Sequence, residues 1–178
     1  MGRLCIFCGA HAGSKGAYRD LAGEVASAVH GAGFGVVYGG GRVGLMGAVA
    51  DAVLALGGEV IGVIPKGLAT NEVAHSGVER LHVVDSMHER KALMAELSDG
   101  FIALPGGYGT MDEFHEILTW RQLGIHDKPI GLLNAGGYYD HLLALYDHMR
   151  SEGFVNPQAR RLFVSAPSIA DVLAQMGI

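Results

Sequence analysis

Cysteine is scarce in this sequence: Cys5 and Cys8 are the only two. They stand three apart in a strand-like run, so they face opposite sides of a sheet and are not placed to form a disulfide. No second cysteine pair completes a zinc site, and both are read as core residues. Charge is sparse as well. Charged side chains make up 17% of the 178 residues, and the formal net charge is −5. No block of Lys and Arg is dense enough to mark a nucleic-acid groove. No apolar run is long and continuous enough to span a bilayer, and the first residues do not have the make-up of a signal peptide. The expectation is a cytoplasmic protein with neither a nucleic-acid nor a membrane partner.

Apolar residues and glycine are plentiful. The chain is 49% hydrophobic and holds 28 glycines, which suits one compact domain over residues 1–178 with a buried parallel sheet and glycine-rich connections. Strand-like segments are predicted at 3–8, 34–38, 59–64, 80–84, 101–104 and 129–133, with a short last one at 162–164. Helical spacing is predicted at 18–30, 45–56, 87–97, 112–123, 138–149 and 169–176. Alternation of the two builds an α/β fold of three layers: a mostly parallel sheet of six or seven strands, with helices on both faces. The longest irregular stretch, 65–78, contains Lys66, Asn71, Glu72 and His75 and is expected to border the site or close over it.

Three glycine-rich turns follow predicted strands: 8–14, 39–47 and 105–110. In an open parallel sheet such turns gather at one edge, where glycine lets the backbone approach a phosphate and aim its amides inward. The same glycines would also serve ordinary tight βα turns. The first turn lacks G-x-G-x-x-G spacing, which counts against a dinucleotide fingerprint. The second lacks the Gly-Lys-Ser/Thr of a P-loop, which counts against nucleoside triphosphate hydrolysis. The third, Pro105-Gly106-Gly107-Tyr108-Gly109-Thr110-Met111-Asp112-Glu113, carries the strongest signal. Amides at its helix start can hold a phosphate while a carboxylate stands beside it. Thr110 is placed to cap the helix, and Glu113 either completes a capping box with it or serves as an acid in the site.

Met87, Arg90 and Lys91 open the helix after the fourth strand. Cations there oppose the helix field, a cost that an anionic ligand would offset. Only one of the adjacent Arg90 and Lys91 need face a ligand; Arg offers a planar fork and Lys a compact charge. Glu113 and Glu116 share a helix face and form a two-carboxylate patch, read as a sugar-binding pair or as one catalytic acid with a supporting neighbour. His115, His126, His141 and His148 follow no metal spacing. His11 and His88 lie close to the turns but are read first as structural. Tyr108 is read as a ligand contact, and Trp120 as helix packing.

These motifs, together with Gly39-Gly40-Gly41-Arg42-Val43-Gly44-Leu45-Met46-Gly47 and Gly62-Val63-Ile64-Pro65-Lys66, strongly resemble the Lonely Guy family of cytokinin riboside 5′-monophosphate phosphoribohydrolases. The resemblance covers the chain from Leu4 to about Val164. It implies a Rossmann-like fold, a homodimer and no cofactor or metal. The implied reaction is hydrolysis of the N-glycosidic bond of an N6-modified AMP. By motif match, Arg90 and Glu113 are catalytic. Gly106, Gly107, Tyr108, Gly109 and Thr110 bind substrate, with Gly40, Gly41, Met87, Lys91 and Glu116 beside them. Members often carry small hydroxyl residues after Cys-Gly, where this chain has Ala10 and His11; Ser14 is the nearby substitute. The rival readings are a nucleosidase preferring unmodified AMP and a binding protein for nucleotide or molybdenum cofactor that does not hydrolyse.

Overall fold

In the computed structural model, seven short strands among the described residues form one parallel sheet. They are β1 (Arg3–Phe7), β2 (Gly35–Tyr38), β3 (Val60–Pro65), β4 (Arg80–Val84), β5 (Gly100–Ala103), β6 (Ile130–Leu133) and β7 (Val164–Ala166). The structure describes residues 1–70 and 73–178; Asn71 and Glu72, named above, lie outside the described residues. The helices are α1 (Ala17–Gly31), α2 (Gly44–Ala55), α3 (Met87–Glu96), α4 (Tyr108–Gln122), α5 (Asp140–Ser151) and α6 (Ile169–Met176).

Side-chain alternation along the strands divides the core into two layers. Leu4, Ile6, Val36 and Tyr38 pack with Leu21, Val25 and Val29 of α1 and with residues of α2 and α6. Cys5, Phe7, Val37 and Ile61 face the other way, against Met94 of α3, Phe114 and Ile117 of α4, and Tyr146 of α5. Cys5 and Cys8 fall in different layers, and both are free and buried. β2, β3, β5 and β6 are buried throughout, as strands covered on both faces must be. β4 departs from this: it is one of the sheet's two outer strands, and Arg80, His82 and Val83 are exposed.

The strand order is β4-β3-β2-β1-β5-β6-β7. The chain winds outward from β1 to β4, then returns to place β5 on the other side of β1. The connections leaving β1 and β5 therefore part in opposite directions, opening a crevice at the carboxyl edge of the sheet. The three glycine turns leave β1, β2 and β5 there.

Most predicted bounds lie within two residues of those observed. The exception is α4, which begins at Tyr108 rather than at residue 112. Gly107 is its N-cap residue, and Thr110 lies inside the first turn, buried, without capping the helix. A side chain on Gly106 would strike the Thr110 hydroxyl, so the turn and the helix start are packed as one piece. A side-chain cap of the same spacing is found instead at α3. There Ser86 accepts from the Glu89 N–H at 3.1 Å, and the Glu89 carboxylate accepts from the Asp85 N–H at 2.8 Å.

Candidate active site

The crevice at the β1–β5 switch holds a cavity of about 630 Å³, a common size for a small-molecule site. Each of the three glycine turns contributes to its wall: Gly9 and Gly13 from the first, Gly39 and Gly41 from the second, Gly106, Gly107 and Gly109 from the third. The first turn is tied to its neighbours by two bonds: the Gly9 N–H donates to Pro105 O at 3.2 Å, and the Leu45 N–H donates to Gly9 O at 3.0 Å. Met46, Ile64, Leu68, Val73 and Met87 supply an apolar wall. The N–H groups of Tyr108, Gly109 and Thr110 open α4 and have no acceptor within the helix, which leaves them suited to an anion.

Arg90 and Glu113 meet at the cavity. Arg90 Nη1 donates to Glu113 Oε1 at 2.6 Å, and Arg90 Nε donates to Val63 O at 3.1 Å. Both side chains are nine-tenths buried. A Cβ on Gly39 would overlap the Arg90 guanidinium, so the glycine at the end of β2 makes room for it. Glu113 is therefore engaged with Arg90 across 23 positions of chain rather than with the start of its own helix. Burial raises the Glu113 carboxyl above its ordinary range, against the pull of Arg90, which favours the charged form. The result is a desolvated acid held in one orientation by a guanidinium fork.

Lys91 and Glu116 are expected at the ligand, but neither lines this cavity. Lys91 Nζ contacts Asp112 Oδ2 at 3.1 Å and Glu116 Oε1 at 3.0 Å, a second ionic layer joining α3 to α4 outside the Arg90–Glu113 pair. The adjacency that sends Arg90 inward turns Lys91 about 100° away on the helix. Glu113 and Glu116 likewise have separate cationic partners and do not form a two-carboxylate patch. Ser14 is also absent from the wall, where the same turn presents His11 and Gly13. Gly40 stands with φ +75° and is turned away: a Cβ there would meet Ile64 and Leu81. Met87 and the almost fully exposed Tyr108 do border the cavity. Trp120 is half-buried and packs against the second core layer.

The irregular 65–78 stretch borders the cavity through Leu68 and Val73. It is pinned to the second turn by the Arg42 N–H donating to Val73 O at 2.9 Å and the His75 N–H donating to Gly40 O at 3.0 Å. His75 is structural: its Nδ1 accepts from the Gly77 N–H at 3.1 Å, which leaves Nε2–H to donate to Asp51 Oδ1 at 3.1 Å.

Tyr18 and Tyr138 also line the cavity and escape the sequence reading. Tyr138 follows a fourth glycine-containing turn, Asn134 to Gly137, at the carboxyl end of β6. Gly136-Gly137 directly after an apolar strand is the signal that points to it.

A family model described as "Possible lysine decarboxylase" matches residues 46–176. A probable cytokinin riboside 5′-monophosphate phosphoribohydrolase of Oryza sativa subsp. japonica is 52% identical over 175 residues, spanning 98% of this chain and 78% of that protein. A cytokinin riboside 5′-monophosphate phosphoribohydrolase of Arabidopsis thaliana is 50% identical over 174 residues, spanning 98% and 82%. Among solved structures, the molybdenum cofactor binding protein of Rippkaea orientalis superposes with a TM-score of 0.74 at 18% identity, covering 99% of this chain and 95% of that one. The Moco carrier protein of Chlamydomonas reinhardtii does so with a TM-score of 0.71 at 19% identity, again covering 99% and 95%. At those identities the structural likeness shows the shared fold alone.

Proposed function

Because this chain belongs to the family of cytokinin riboside 5′-monophosphate phosphoribohydrolases, we propose that its cavity hydrolyses the bond between base and sugar in an N6-modified AMP, and that Arg90 and Glu113 carry the chemistry. One observation supports the residue assignment above others: a buried carboxylate locked to a buried guanidinium faces the same cavity as the first amides of α4. The four steps from Gly109 to Glu113 rise about 6 Å along the helix. A ribose 5-phosphate spans a comparable distance between its phosphate and its anomeric carbon. Phosphate on the amides of residues 106–110 therefore sets C1′ near Glu113.

In the reaction, water adds at C1′ while the C1′–N9 bond breaks, giving the free base and ribose 5-phosphate. Positive charge develops on the sugar as the base departs. The Glu113 carboxylate stabilises that charge and accepts a proton of the attacking water, then releases it to solvent, while the departing base takes up a proton from solvent to leave as the neutral purine. Arg90 keeps Glu113 ionised and aimed. Binding of the distant phosphate serves the chemical step by holding the sugar in a reactive pose. Lys91, Asp112 and Glu116 brace α3 against α4 so that the inner pair keeps its spacing. The reaction so described consumes only water.

The apolar wall of Met46, Ile64, Leu68, Val73 and Met87 favours an alkyl-substituted base over unmodified adenine. Base release followed by chromatography tests both points. Isopentenyl-AMP should exceed AMP in kcat/KM by about tenfold or more, the scale on which apolar pockets discriminate. UMP and the unphosphorylated nucleosides should react far more slowly. Intact nucleotide after prolonged incubation, despite tight binding, would contradict hydrolysis and favour a carrier. The same reading includes a cytoplasmic homodimer. The outer face of α4 beside the cavity mouth, with Tyr108, Met111 and Trp120, is the surface we assign to the second chain. Among the described residues, no helix is long and apolar enough to cross a membrane.

A further inference from the structure

Three successive carbonyls of the turn before α4 are held from outside it. Tyr139 Oη donates to Leu104 O at 2.6 Å, the Gly9 N–H donates to Pro105 O at 3.2 Å, and Tyr138 Oη donates to Gly106 O at 2.7 Å. Among the described residues every peptide bond is trans, so each C=O points opposite the N–H of its own peptide group. Fixing the Gly106 carbonyl thus fixes the direction of the Gly107 N–H, at the N-cap residue of α4.

Tyr138 is itself well held. Its ring meets Tyr18 edge-on at 5.9 Å and Tyr139 edge-on at 4.8 Å. The turn that carries it is braced by Asn134, whose Oδ1 accepts from the Tyr139 N–H at 2.7 Å and whose Nδ2 donates to Asp140 Oδ1 at 2.7 Å. Tyr139 is buried in the core, whereas Tyr138 is 41% exposed and borders the cavity. The Tyr138 ring packs, and among the described residues its hydroxyl has one partner, the turn carbonyl.

We propose that Tyr138 is a positioning residue for phosphate recognition: its hydroxyl sets the Gly106–Gly107 peptide so that the turn presents its amides to the 5′-phosphate. This rests on the reading that the phosphate binds at this turn. The β6–α5 connection thereby becomes part of the site, although Tyr138 need not touch the reacting atoms.

The test is Tyr138→Phe in the full chain, which keeps the ring contacts and removes one hydrogen bond. Inhibition of nucleotide hydrolysis by ribose 5-phosphate and by adenine is measured side by side. Ribose 5-phosphate should bind about tenfold more weakly, the scale of one lost hydrogen bond, and KM for the nucleotide should rise with it. Adenine inhibition should stay within about twofold, and Tm within about 3 °C. Tyr139→Phe is the structural control: it should lower Tm without the selective loss of ribose 5-phosphate. Unchanged ribose 5-phosphate inhibition in Tyr138→Phe, equal weakening of both inhibitors, or the same selective loss in Tyr139→Phe overturns the positioning role and leaves the hydrolytic reading standing. A parent protein that turns over nucleotide but is indifferent to ribose 5-phosphate removes the phosphate turn from both.

Discussion

Replacing Glu113 by Gln is expected to lower kcat for isopentenyl-AMP about a thousandfold while leaving KM within a few-fold and the fold intact. Gln keeps an oxygen that can accept from Arg90, so the inner pair loses charge but not its hydrogen bond. What disappears is the anion that faces the developing charge on the sugar and takes a proton from water, functions worth about 10²–10⁴ in rate. Stopped assays of base release, with a thermal melt alongside, measure both halves of the expectation. The pH dependence gives a further sign. Burial raises the Glu113 carboxyl in the folded chain, so the acid limb of the parent's kcat profile should sit above the ordinary carboxylate range and rise with pH. Between the unfolded and folded pKa values the folded chain binds more protons, so stability contributed by this group is present below the unfolded value and is lost as pH climbs through the folded one. Gln does not titrate. From about pH 4 upward, the Tm of the variant should therefore improve relative to the parent. A gap that moves the other way would mean that Arg90 outweighs burial at this site.

Replacing Arg90 by Ala should be the more damaging change, because it removes charge, hydrogen bonds and volume at once. The guanidinium holds Glu113 and Val63 O together, and its loss leaves a carboxyl in a desolvated place without its cation. That carboxyl should then rise further and be protonated at neutral pH, so kcat/KM is expected to fall by about three orders of magnitude or more. Breaking a buried pair by removing one partner costs about 3–5 kcal/mol, which in a chain of this size lowers Tm by roughly 10 °C. Arg90→Lys should recover part of the stability and little of the rate, since an ammonium cannot serve Glu113 and Val63 O in the same fork. Full turnover by the Ala variant would place the reaction elsewhere.

The layering of this fold could be read along the chain because its interior strands are apolar on both faces and its helices repeat at fourfold spacing, as Leu21, Val25 and Val29 do. The edge position of β4 was less legible: its pairing depends on β3, although Arg80 and His82 are polar enough to hint at it. Glu113 shows where local grammar misleads. Thr110 to Glu113 and Ser86 to Glu89 have the same capping spacing, yet only the second caps a helix. The difference is tertiary: the turn at Gly106-Gly107 starts α4 early, and Arg90 arrives from another strand end to take the carboxylate. Lys91 and Glu116 are expected beside the substrate, but the rotation between neighbouring helix positions puts them on the outer side of α3 and α4. Tyr138 and Tyr139 were hidden because their role is to bind carbonyls of a segment some thirty residues earlier, which no local pattern records.

The central claim is that one helix start anchors the phosphate while a carboxylate one turn along it faces the anomeric carbon. A crystal structure of Glu113→Gln with isopentenyl-AMP measures this directly. The expected complex has the phosphate on the amides of residues 106–110, C1′ within about 3.5 Å of the side chain at 113, and the isopentenyl group against Met87 and Leu68. A nucleotide seated in the cavity with its phosphate away from that turn, or with C1′ out of reach of residue 113, would contradict the account.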